Sequence, residues 1–173
     1  MADITGKKIL MLVAFEGFRD EECLEPKKLF EDARAEVTIA STQTGTAKGK
    51  LGGTVEVDAD YSDIDAAEYD AVVFVGGPGA AAYLEDETAQ KLAKDAESAG
   101  KLVAAICIAP SILANAGLLQ GKKATAFSSE EENLKAKGAV WQPSGVVADG
   151  KIITGSGPDV ASEFGRRIIS LLG

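Results

Sequence analysis

The stretch LVAAICIAP, Leu102–Pro110, limits the possible folds more than any other part of the chain. Leu102 to Ile106 form an unbroken apolar run, the pattern of a strand covered on both faces as in a parallel sheet. Cys107 follows at once. Pro110 then opens Ser111–Ala116, which reads as a helix, since proline is well tolerated in a first helical turn. The chain must therefore turn sharply at Cys107. A turn of this kind needs small residues two positions either side of its centre, and Ala105 and Ala109 stand there. The competing reading is a buried structural cysteine, because free Cys is among the most buried residue types.

Composition narrows what such a turn can serve. With 173 residues, one domain over 1–173 with a sizeable core is expected. The net charge of −9 offers no basic patch to neutralise phosphates, which argues against nucleic acid as a partner. Two cysteines, Cys23 and Cys107, make no disulfide framework and point to a reducing compartment. Ile9–Phe15 reads as a short buried strand rather than a leader, and nothing approaches the length of a membrane span, so a cytoplasmic location is expected. The chain has no histidine. That removes Cys–His dyads, Ser–His–Asp triads and histidine metal ligands together, and no metal site is expected.

Strand patterns at Ile9–Ala14, Val37–Ser41, Thr54–Val57, Ala71–Val75, Leu102–Ile106 and Ala124–Phe127 alternate with helical patterns. The helices are expected over Glu21–Ala33, Glu87–Ala99, Ser111–Ala116, Glu130–Lys137 and Asp159–Leu172. Thr42–Gly53 reads as turns of a hairpin excursion. Asp149–Gly150 reads as a hairpin turn between Val146–Ala148 and Lys151–Thr154. Ser129 followed by Glu132 suggests a capping box. The alternation argues an α/β fold with a mostly parallel central sheet and helices on both faces. Ligands in such sheets sit beyond the carboxyl ends of the strands. Phe15–Glu22, Gly76–Gly79 and Cys107 all fall at such ends.

Gly77–Ala82 formally fits a G-x-G-x-x-A dinucleotide fingerprint, but the fingerprint belongs to a first βα turn followed by an acidic strand end, and here the next strand ends in Cys107. A better use of Gly76 and Gly77 is close backbone approach. The N–H of Gly77, paired with that of Ile108, could stabilise an oxyanion; the bland alternative is a turn that only glycine can make. Glu22 shares a helical face with Pro26, Leu29 and Ala33, which should point at the sheet. A carboxylate there is costly without a partner, and Cys107 is the natural one. The alternative is a surface glutamate. The helix start after Cys107 should favour thiolate, and a protonated Glu22 could donate to it. Cys23, adjoining Glu22, reads as a packing or subunit-contact residue, and Asp159 and Glu163 as helix-start acids. Phe127 ends a predicted strand and could line a pocket, together with Gly76 and Ala109.

Taken in order, FxDxExxxP at Phe18–Pro26, DAVVFVGGPG at Asp70–Gly79, AAIC followed by GLLQGKKAT, and ITGSGPDVASEF at Ile153–Phe164 resemble the ThiJ/PfpI superfamily. The resemblance covers nearly the whole chain. It implies a flavodoxin-like three-layer sandwich of the class I glutamine-amidotransferase type. By position it implies Cys107 as nucleophile, Glu22 as the carboxyl bonded to it, and Gly77 and Ile108 as oxyanion donors. It also implies a homodimer or a larger oligomer, and no cofactor.

The departures matter equally. Ile108 stands where the PfpI-type proteases carry histidine, Phe127 where several relatives carry histidine or tyrosine, and Ser156 where arginine often precedes the Gly-Pro pair. Protease activity is therefore not expected. The expected function is a cofactor-free, cysteine-dependent hydrolase or hydratase acting on a small carbonyl-like electrophile, glyoxalase- or deglycase-like and stress-related. The alternatives are a redox-sensing or stress-response protein whose Cys107 oxidises to sulfinate, and an inactive family member.

Overall fold

The computed structural model describes residues 2–173. The chain begins with β1 (Lys8–Leu12) and a short β2 (Glu16–Phe18), then α1 (Asp20–Asp32) and β3 (Glu36–Ser41). A hairpin of β4 (Gly45–Gly49) and β5 (Thr54–Val57) is followed by β6 (Ala59–Asp60), β7 (Ala71–Phe74) and α2 (Glu87–Ser98). Next come β8 (Leu102–Ile106), α3 (Pro110–Asn115), β9 (Lys123–Ala124), α4 (Glu131–Ala136) and β10 (Val140–Trp141). The antiparallel pair β11 (Val146–Asp149) and β12 (Ile152–Gly155) precedes the last helix, α5 (Ala161–Leu172).

Seven strands form the main sheet in the order β11-β12-β8-β7-β1-β3-β6, and every neighbouring pair except β11–β12 is parallel. The three central strands are apolar because helices cover both faces. Residues Ile9–Leu12, all of β7 and all of β8 are buried. Each valine, leucine, isoleucine, methionine or phenylalanine side chain so buried contributes about 1.5–3 kcal/mol relative to exposure. Helices α1 and α5 pack together, and α2 packs against α3. The α5 sequence turns Ala161, Phe164, Gly165, Ile168, Ile169 and Leu172 inward at helical spacing. A Cβ on Gly165 would come within 3.2 Å of the Pro26 Cα, so glycine sets how closely α5 approaches α1.

The sheet order reverses between β1 and β7, since the chain runs outward from β1 to β3 and from β7 to β8 and β12 in opposite directions. The carboxyl ends flanking a reversal leave a crevice. Phe15–Glu22, Gly76–Gly79 and Cys107 follow β1, β7 and β8 at that edge.

The structure departs from the sequence reading in several places, three of which bear on the cleft side of the sheet and its flanking helices. Strand β9 ends at Ala124 instead of Phe127. Beyond it, the Thr125 N–H donates to the Thr154 hydroxyl at 2.9 Å and the Phe127 N–H donates to the Cys107 carbonyl at 2.7 Å, which carries the chain across the cleft instead of along a ladder. The expected capping box does not form: the Ser129 hydroxyl donates to the neighbouring Glu130 carboxylate, and α4 starts at Glu131 without a side-chain cap. A 3₁₀ turn, Pro158–Val160, precedes α5, so that helix starts later than Asp159.

Candidate active site

Cys107 sits at φ +65°, in the left-handed region that residues with a Cβ rarely occupy. Its backbone is held from both sides. Its N–H donates to the Gly155 carbonyl at 2.9 Å, and its carbonyl accepts from Phe127. Fully buried Ala105 and Ala109 let the chain fold back at this point. The strain and the small flanks together define an elbow that presents the thiol at the end of β8.

Glu22 comes up from below. It lies in the first turn of α1 and is completely buried. Gly76 makes room for it: a Cβ at that position would lie 2.6 Å from both Glu22 Oε1 and the Cys107 Cβ. Gly77, at φ +109°, packs against the Phe18–Arg19 backbone, and the Arg19 N–H donates to the Gly76 carbonyl at 3.0 Å. The start of α1 and the loop after β7 are thereby fixed to each other. Neither the Gly77 nor the Ile108 N–H is taken up by a backbone carbonyl among the described residues. Both residues line the same cleft as Cys107, and both N–H groups favour its thiolate.

Burial dominates the electrostatics. Desolvation raises the Glu22 carboxyl to about 7, with the Cys107 thiol and the Gly76 N–H pulling it partly back. Neither carboxylate oxygen has a hydrogen-bond partner of standard geometry among the described residues, an uncommon state for a buried charge-bearing group. The Cys107 thiol is pushed up to about 12, first by burial and then by the charge of Glu22, while the Gly77 and Ile108 N–H groups oppose the rise. The acidic thiol expected from the helix start is therefore not what this site produces: α3 is only six residues long, and desolvation outweighs its first turn. Each group instead shifts the other, the thiol lowering the carboxyl and the carboxyl raising the thiol. Near neutral pH, one proton leaves the pair more readily than the second.

Above the pair lies a cleft of about 260 Å³, whose lining includes Cys107, Gly77, Ile108, Phe127, Arg19 and Lys50. Phe127 is 45% exposed and forms an apolar wall. Gly76 and Ala109, expected to line this pocket, do not: Gly76 lies beneath the Glu22–Cys107 contact, and Ala109 is sealed in the core behind the elbow. Cys23 is buried within the protein core, and burial raises its thiol to about 12, so it packs and does not face the cleft.

Sequence reasoning missed the cationic side of the cleft, Arg19 and Lys50. Arg19 could have been found from its place inside the FxDxE stretch that ends at Glu22. Lys50 carried no local signal, because only the folded hairpin brings it to the cleft. Among the described residues no His, Cys, Asp and Glu group of three or more suits a metal ion, and no helix is long and apolar enough to cross a membrane.

A mostly parallel α/β sandwich with a strained cysteine at the end of one central strand, a buried carboxyl beside it and the Gly77 and Ile108 backbone around it defines a class of cysteine-centred flavodoxin-like proteins. The chain belongs to the DJ-1/PfpI family, whose model matches residues 7–171. Among its relatives, the protein MJ0967 of Methanocaldococcus jannaschii is 40% identical over 173 residues, covering 98% of this chain and 84% of that protein. The deglycase TK1284 of Thermococcus kodakarensis is 36% identical over 165 residues, 95% of this chain and 99% of that protein. The crystal structure of a ThiJ/PfpI domain protein from Brachyspira murdochii superposes with a TM-score of 0.94 at 38% identity, covering 96% of this chain and 98% of the other.

Proposed function

We propose that the protein is a cofactor-free, cysteine-dependent hydrolase that detoxifies small carbonyl electrophiles, of the kind a deglycase handles. The observation that carries this reading is the meeting of the strained Cys107, the buried Glu22 carboxyl and the Gly77 and Ile108 backbone at one cleft. The deglycase name of TK1284, aligned along almost its whole length, supports the substrate class.

The chemistry for a 2-oxoaldehyde runs as follows. Glu22 takes the thiol proton as the Cys107 sulfur bonds to the aldehyde carbon. The carbonyl π pair moves to oxygen, where the Gly77 and Ile108 N–H groups meet the charge. Glu22 returns the proton to that oxygen, giving a neutral hemithioacetal. Glu22 then removes the C1 hydrogen as a proton and passes it to the C2 oxygen, giving an enediol; the C1 hydroxyl proton moves to C2 as the C1 carbonyl re-forms, leaving a thioester of the 2-hydroxy acid. C1 is oxidised and C2 reduced, so no external oxidant is needed. Water cleaves the thioester, releasing the 2-hydroxy acid and the Cys107 thiol. A substrate already carried on an amine or thiol would lose that carrier when the sulfur takes its place. With no histidine in the chain, Glu22 is the acid–base group placed to handle each of these protons.

A peroxide-sensing role would use the same sulfur, and the site favours it less. Cys107 is 8% exposed and its thiol is raised, whereas oxidation follows exposure and thiolate character. The expected result is turnover of 2-oxoaldehydes and their thiol adducts by the wild type, abolished in Cys107→Ser and reduced by about a hundredfold or more in Glu22→Gln. Retained turnover in Cys107→Ser would overturn the reading.

A further inference from the structure

We propose that Arg19 and Lys50 form an anion-binding subsite at the mouth of the Cys107 cleft, so that the preferred substrate is a small carbonyl compound carrying a carboxylate or phosphate. This rests on the nucleophile reading above and names the substrate class within it.

The two cations stand out against the rest of the molecule. The chain has 27 acidic and 18 basic side chains, yet the cleft lining includes two cations and no acid. Arg19 is held in place. Its Nε donates to Glu21 Oε1 at 3.0 Å and its Nη2 to Glu21 Oε2 at 2.9 Å, which fixes one edge of the guanidinium and leaves Nη1 unused by that carboxylate. The same guanidinium lies close enough to Glu22 and Cys107 to feel their charge. Lys50 is exposed and enters no ion pair among the described residues.

The position of Lys50 is built in. It lies in the turn between β4 and β5, and that turn is tied to the start of α1. The Asp20 carboxylate accepts the Leu51 N–H at 2.8 Å and the Gly53 N–H at 2.7 Å, and the Lys50 N–H donates to the Phe18 carbonyl at 2.9 Å. A Cβ on Gly53 would lie 2.6 Å from Asp20 Oδ2, so glycine there lets the carboxylate reach the turn. The turn is thus fixed by three hydrogen bonds from its backbone N–H groups although its lysine side chain has no partner among the described residues. A cleft of about 260 Å³ with a nucleophile at its floor and two cations at its rim fits a short carbonyl compound with an anionic tail.

Iodoacetate and iodoacetamide test this without requiring turnover. The two alkylate a thiolate by the same displacement, in which sulfur bonds to carbon and iodide leaves, and they differ chiefly in the charge of their tails. The ratio of their rates at Cys107, read by peptide mass spectrometry at pH 8.5 and low salt, should exceed the ratio for free glutathione. It should fall by about threefold in Lys50→Gln and with added salt. Lys48→Gln, an equal charge change on the exposed face of the same hairpin, should leave the ratio as in the wild type.

Protection of Cys107 from iodoacetamide by propionate would assign a carboxylate to the subsite, and protection by inorganic phosphate a phosphoryl group. Protection by neither, or a ratio indifferent to Lys50→Gln, overturns the subsite while leaving the nucleophile standing. A Cys107 that neither reagent modifies would remove the nucleophile, and both readings with it.

Discussion

At the scale of single residues, the molecule concentrates its costs at Glu22 and Cys107. Burying Glu22 raises its pKa from the usual 4.5 to about 7, chiefly by desolvation. The sign follows from which state holds the proton more tightly. The folded protein does, so the stability linked to Glu22 is complete below about pH 4.5 and is lost as pH rises through about 7. The shift corresponds to about 3 kcal/mol. Glu22→Gln, which cannot ionise, should therefore be more stable than the wild type at pH 8 by about 1–3 kcal/mol and show no such advantage at pH 4, as read by urea titration at the two pH values. Equal stabilities at pH 8 would mean that the folded protein does not disfavour the ionised carboxylate. The sharp turn at Cys107 was legible in the sequence because the small residues flanking it are local. The burial of Glu22 was only half legible: helical spacing put it on the inward face, but Gly76, which makes the space, comes from a strand end far along the chain.

Among the elements, the apolar strands and amphipathic helices were the most readable. Leu102–Ile106 and Thr54–Val57 match the expected bounds at both ends because their patterns are strong and their flanks are turns. What escaped sequence reading depends on long-range pairing. Strand β2 exists because Glu16 and Phe18 pair with the hairpin strand β4, and β9 stops short because Cys107 and Thr154 draw away the backbone that follows. Helix α1 also ends on a feature that composition conceals. After Ala33, Arg34 adopts φ +71°, with the Ala35 N–H returning to the Phe30 carbonyl at 3.0 Å. Glycine is the usual residue at such a helix end. Arg34 gives little in return, since its contact with Asp3 is 3.6 Å long and exposed. Arg34→Gly should raise stability by about 0.5–1 kcal/mol, visible as a higher Tm, because the relief of left-handed strain exceeds glycine's entropic cost. A lower Tm would show that the arginine side chain contributes more than its exposure suggests.

Across the whole molecule, the fold and the site are two aspects of one reversal in strand order. The crevice between β1 and β7 gathers the α1 start, the Gly76–Gly77 loop and the Cys107 elbow, and the β4–β5 hairpin adds its lysine from outside the sheet. Motif order along the chain was enough to expect the sandwich and the first three of these parts. The hairpin's contribution was not legible, because it depends on Asp20 tying a distant turn to the helix start. The central claim is that Glu22 and Cys107 act as one proton-sharing pair. The most direct measurement is the pH dependence of Cys107 alkylation by iodoacetamide in the wild type and in Glu22→Gln. In the wild type the rate should rise through about 7, where the pair loses its first proton. In Glu22→Gln that inflection should vanish, leaving only the thiol, which burial holds above its ordinary range. Superimposable profiles for the two proteins would contradict the account, since the carboxyl would then have no share in the proton that Cys107 must lose.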